Sequence, residues 1–81
     1  MIHELKTLPP FFEAVWNGLK PFEVRKNDRN YQFGDTLLLK EWNRFKETYT
    51  GRELTVKVTY VLSDPEYVKE GYVVLGIAVV T

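Results

Sequence analysis

The 81 residues carry eleven Lys and Arg against eleven Asp and Glu, a formal net charge of zero, so no global field draws the protein to a polyanion and any nucleic-acid contact must be local. There is no cysteine, which excludes disulfides and thiolate metal sites and suits a reducing compartment; a chain this short buries only about 60–65% of its unfolded surface, so aromatic bulk must carry much of the core. No apolar run approaches the ~18 residues of a membrane span, and the start Met1-Ile2-His3-Glu4 has no apolar leader, so one cytoplasmic domain over residues 1–81 is expected, without membrane contact.

Residues 2–5 read as a short strand, after which Pro9-Pro10 blocks further extension and suits the first turn of a helix. Up to about residue 17, Phe12, Val15, Trp16 and Leu19 fall at i, i+3, i+4 and i+7. That stripe predicts a short amphipathic helix with Trp16 in the core. Gly18 can take the left-handed conformation that closes a helix, and Pro21 stops the helix from resuming. The chain must then run extended over residues 22–25, where alternation sends Phe22 and Val24 into the core and brings Glu23 and Arg25 out together on the other face. Residues 26–31 form a polar loop, long for a tight hairpin, and such loops carry binding residues disproportionately.

Three longer strands follow at residues 36–42, 53–62 and 72–80, each bounded by turn-forming residues. In the second, Leu54, Val56, Val58, Tyr60 and Leu62 share one face, and Thr55, Lys57 and Thr59 the other. Nearly every residue of the last is apolar, which predicts a central strand covered on both faces, against the helix. Five strands and one helix predict an α+β, mostly β fold: a small, mostly antiparallel barrel with the helix packed at one side or end.

Within this frame the densest chemistry is Lys20, Glu23 and Arg25, joined in the following loop by Lys26 and Arg29. A carboxylate, a guanidinium and an ammonium at that spacing suit a polar ligand, although an ordinary ion pair on an exposed strand has the same spacing. Trp42, at the end of a strand before a polar run, offers an aromatic face on which a base can stack. Tyr31, Phe45 and Tyr49 are weaker candidates for which packing is the favoured role. His3 is the only histidine, with no nucleophile placed beside it, and is read as a hydrogen-bonded side chain on an edge strand. One histidine without cysteines supports no metal site, and no cofactor is expected.

The run Gly18-Leu19-Lys20-Pro21-Phe22-Glu23-Val24-Arg25 resembles the Gly-x-Lys-x-x-Glu-x-Arg signature of the ASCH domain, a branch of the PUA-like superfamily proposed to bind RNA, and matches it at all four specified positions. With His3-Glu4-Leu5-Lys6 and Phe33-Gly34-Asp35, the whole chain is similar to a compact ASCH-like family of bacteria and their phages. The resemblance implies a PUA-like barrel whose signature residues line a cleft. In it Lys20 and Arg25 would meet phosphate or base acceptors, and Glu23 would orient Arg25 or accept from a base amino group. RNA or a nucleotide is the partner so implied, and alanine at Lys20 and Arg25 is expected to abolish binding with the fold intact.

Some ASCH-like proteins are amidohydrolases acting on N-acetylated cytidine, with a lysine, a threonine nucleophile and a glutamate. Lys20 matches the lysine, whereas Glu23 stands where those enzymes have the threonine. An enzymatic alternative would use Lys20 and Glu23 as stabiliser and base for a water attack. A third reading is a protein-interaction module that pairs a partner's strand along an exposed edge at residues 22–25 or 2–5.

Overall fold

The computed structural model describes residues 1–80, with strands β1 (Ile2–Thr7), β2 (Phe22–Lys26), β3 (Thr36–Asn43), β4 (Thr48–Leu62) and β5 (Tyr72–Val79) and one helix, α1 (Pro9–Trp16). Pro9 and Pro10 occupy the first turn, where their missing N–H groups cost nothing. The helix ends as its sequence predicts. Gly18 adopts φ 75°, and the main-chain N–H groups of Leu19 and Lys20 donate to the Ala14 carbonyl at 2.9 and 3.1 Å. This closure sets the direction in which Lys20 leaves the helix.

All five strands join one sheet in the order β1-β3-β4-β5-β2. The pairings are antiparallel except β1 with β3, which is parallel. The sheet curls around a core in which Phe12 and Val15 of α1 meet Leu37 and Leu39 of β3, Val56 of β4 and Leu75 of β5. The predicted barrel is therefore open. Its edge strands, β1 and β2, share no backbone ladder, so the sheet is a half-barrel whose seam is crossed by side chains.

Three expectations about burial are corrected. Trp16 is half exposed; its ring stacks on Phe12 with centroids 5.8 Å apart and lies 4.8 Å from the guanidinium of Arg52, which also pairs with Glu13 at 3.1 Å. The tryptophan thus rims the helix contact while Phe12 fills it, and Leu19, beyond the helix end, is exposed. In β4 the face predicted from Leu54 to Leu62 breaks at a bulge: Val58 pairs with Ile77 and Tyr60 with Gly76. Thr59 is the extra residue, so Tyr60 turns outward and Val61 packs inward instead. In β5 burial alternates, with Val73, Leu75 and Ile77 inside. That strand is central, as predicted, yet its outer face is only partly covered.

β4 also starts earlier than expected, at Thr48, because Gly51 with φ 98° lets the chain shift register and stay in the sheet. The hairpin tip is thereby confined to residues 44–47.

Candidate functional site

The ionic cluster forms, but on the inner side of β2. Phe22 and Val24 are 42% and 51% exposed while Glu23 is 2% exposed, the reverse of the expected facing. The alternation is right and its direction is not: β2 is an edge strand with no layer outside it, and its inner face carries a carboxylate buried beside Leu75, its partner on β5. A buried charge is tolerated only when paired and hydrogen-bonded. Here Lys20 Nζ donates to Glu23 Oε2 at 2.5 Å, and Arg25 donates to Oε1 through Nη2 at 2.7 Å and Nε at 3.1 Å.

Arg25 does more than pair with its neighbour. Its Nη1 donates to the Lys6 carbonyl at 2.9 Å and its Nη2 to Thr7 Oγ1 at 3.0 Å, so one guanidinium spans the seam from β2 to β1. Arg29 repeats the device one step along, donating from Nη1 to the Glu4 carbonyl at 2.9 Å. Four of the five Arg25 N–H groups are thereby engaged, and one on Nη1 remains. Among the described residues a single carboxylate bond is the only hydrogen bond of Lys20, which leaves two of its three donors.

Against this cluster lies a cleft of about 500 Å³ lined by Lys6, Thr7, Leu8, Phe11, Lys20, Phe22, Glu23, Val24 and Arg25. Lys20 Nζ sits between two aromatic walls, 5.1 Å from the Phe22 ring centroid and 5.5 Å from that of Phe11. Phe11 is itself half exposed. The cleft thus combines flat apolar surfaces with an ammonium that has donors to spare.

Of the residues singled out in the sequence, Lys20, Glu23 and Arg25 meet here, and Arg29 lies along the same seam. Lys26, exposed at the end of β2, and Trp42 stand outside the lining. Trp42 packs edge-on against Tyr49 at 4.9 Å and carries the Lys6 ammonium over its ring at 4.0 Å, which links it to the cleft indirectly. The sequence reading missed Lys6, Thr7, Leu8 and Phe11. Lys6 and Thr7 reach the cleft because β1 pairs in parallel with β3 and so becomes the edge facing β2, and Leu8 and Phe11 follow where the chain turns into α1, a relationship that no local pattern announces.

His3 lies on edge strand β1, as expected, and is buried, with Nε2 donating to Asp35 Oδ2 at 2.9 Å. The Gln32 main-chain N–H donates to the same oxygen at 3.0 Å, and the Met1 ammonium to Oδ1 at 3.2 Å. The His3 hydrogen bond comes first among the causes that hold the Asp35 carboxyl down to about 2, with the Gln32 and Met1 contacts adding to it and burial opposing. Tyr31 packs edge-on against His3 at 4.8 Å; burial pushes its phenol above the usual 10.0, against the lowering influence of Arg29 and Arg25. This cluster pins β1 to the start of β3, and on its far side Tyr31 and Gln32 line a cavity of about 600 Å³ with Phe33, Tyr60 and Ser63.

Among the described residues no helix is long and apolar enough to cross a membrane, and no three His, Asp or Glu side chains gather as a metal site would require.

Over 74 residues the chain is 42% identical to an uncharacterised 12.9 kDa protein in the GpA 3′ region of Escherichia phage P2; the match covers 91% of this chain and 65% of that protein. The chain thus spans just under two thirds of that relative's length. Residues 2–77, from the first strand through the buried part of the last, match the family described as a domain of unknown function, DUF3850, and the chain belongs to that family.

Proposed function

We propose that this chain is an ASCH-like member of the PUA-like superfamily and that its cleft binds RNA or a nucleotide. The observation that carries the reading is the placement of Lys20, with two donors to spare, between the exposed rings of Phe11 and Phe22 in a cleft of about 500 Å³. A base needs a π-face and a phosphate needs a cation. Lys20 is the contact residue, with the remaining Arg25 N–H as a further donor. Glu23 orients both cations, and Arg25 chiefly closes the seam behind them.

The geometry lends less support to hydrolysis. Both oxygens of Glu23 are already engaged by Lys20 and Arg25, whereas a general base must hold the water that it deprotonates.

Thermal-shift screening with nucleotides and short RNAs tests the binding reading. A ligand at ~100 times its dissociation constant adds about 2.7 kcal/mol to stability, and Lys20→Ala is expected to remove that gain while keeping the native circular dichroism spectrum. Unchanged affinity in Lys20→Ala overturns the assignment.

A further inference from the structure

Phe11 lines more than the cleft at the ionic cluster. It also borders a second cavity of about 420 Å³, walled by Leu8, Pro9, Pro10 and Phe11 on one side and by Arg44 and Phe45 of the β3–β4 hairpin on the other. Leu8 and Phe11 are common to both cavities, so the two are adjoining parts of one groove.

Both walls of the second cavity are held in place without a ligand. Pro9 and Pro10 fix their own backbone. Across from them, Asn43 Oδ1 accepts from the main-chain N–H groups of Phe45 and Lys46, each at 3.0 Å, and Glu47 completes the turn with φ 51°. An Asx turn of this kind sets the tip rigidly. Yet the tip presents Phe45 88% exposed, with the Arg44 guanidinium 5.4 Å from its ring centroid. The first cavity sets the Lys20 ammonium 5.5 Å from the Phe11 ring. Each cavity therefore pairs a large exposed ring with a cation, and the two pairs adjoin.

Flat rings joined by an anion fit that repetition. We propose that the cavity at Phe45 is a second base-stacking subsite and that the ligand is single-stranded RNA, with one base in the cleft at Lys20, the next against Phe45, and the connecting phosphodiester between Lys20 and Arg44. This rests on the nucleotide-binding reading and narrows it from any nucleotide to a ligand of at least two units. Preorganised walls limit the ordering cost of binding.

Isothermal titration of the full chain with UMP, AMP, UpU and ApA decides the matter. The dinucleotides are expected to bind at least tenfold more tightly than the mononucleotides. Phe45→Ala is expected to weaken dinucleotide binding roughly 5- to 150-fold, the range that one stacked base spans, and to leave mononucleotide binding unchanged; Arg44→Ala should act in the same direction. Both side chains are outside the core, and a native melting curve for each variant certifies the fold. Equal affinity for mono- and dinucleotides, or a Phe45→Ala variant that binds UpU and ApA like the parent, overturns the second subsite and leaves the first reading standing. Binding of none of the four overturns both. A dimer in sedimentation that Phe45→Ala dissolves assigns the groove to a second copy of the chain and also overturns the subsite.

Discussion

Arg25 on β2 donates to the main-chain carbonyl of Lys6 on β1 at 2.9 Å, joining the two edges of the sheet where no backbone ladder does. The same guanidinium supplies two of the three hydrogen bonds that hold the buried Glu23 carboxylate. Arg25→Ala therefore removes the bridge and strips a buried charge of its main partner, and we expect a stability loss of about 2–4 kcal/mol in urea denaturation. Arg25→Lys keeps the charge but not the planar fork, so it should recover only part of the loss. This refines the expectation that alanine at Arg25 leaves the fold intact; equal stability of parent and Arg25→Ala contradicts the seam described above.

Lys20 stands in a different position, because Glu23 keeps both Arg25 bonds when the lysine is gone. Lys20→Ala should cost only about 1–2 kcal/mol while removing nucleotide binding. With two cations, Lys20 and Arg44, placed to meet phosphate, the logarithm of affinity for single-stranded RNA should fall with the logarithm of salt concentration at a slope of about −1.4. A titration series over potassium chloride measures it, and a slope near zero excludes phosphate contact.

A third expectation concerns the bulge in β4. A Cβ at Gly76 would lie 3.0 Å from Thr59 Oγ1 and 3.2 Å from Tyr60 Cβ, so Gly76→Ala must displace the bulged strand. We expect a loss of about 1–3 kcal/mol, seen as a lower melting temperature. Stability equal to that of the parent would show that the bulge moves freely.

Acid should weaken the pin between β1 and β3. The Asp35 carboxyl is held near 2 against a usual 3.8, by the His3 hydrogen bond above all. A folded value below the unfolded one means that the contribution is fully present above 3.8 and is lost as the pH falls toward about 2. Between those values the parent should lose stability more steeply than Asp35→Asn, which has no carboxyl to protonate. Urea midpoints at several acidic pH values distinguish parallel curves from converging ones.

Much of the fold was legible because it rests on local signals. Pro9-Pro10, Gly18 and Pro21 bound the helix, and turn residues bound the strands. The ionic cluster was legible too, since its members lie within six residues of chain. What escaped the sequence depends on long-range pairing. Phe22 and Val24 look like core residues in any strand, and only the position of β2 at the edge of the sheet exposes them. Lys6, Thr7 and Phe11 carry no pattern that points to Lys20. The bulge at Thr59 inverted the facing of Tyr60 because one added residue reverses every side chain beyond it. Trp16 was misplaced for a simpler reason: on a helix of eight residues the apolar stripe is wider than the contact it covers.

The order of pairing has a kinetic consequence. β2 finds its ladder only on β5, with Val24 opposite Val74, and contacts so distant in sequence close slowly. On a ribosome the strand bearing Glu23 would emerge early and wait, its carboxylate still hydrated, until β5 had been made. The cleft beside Lys20 is thus among the last parts of the molecule to take shape, and a nascent chain halted before residue 72 would display every signature residue without the cleft that they line.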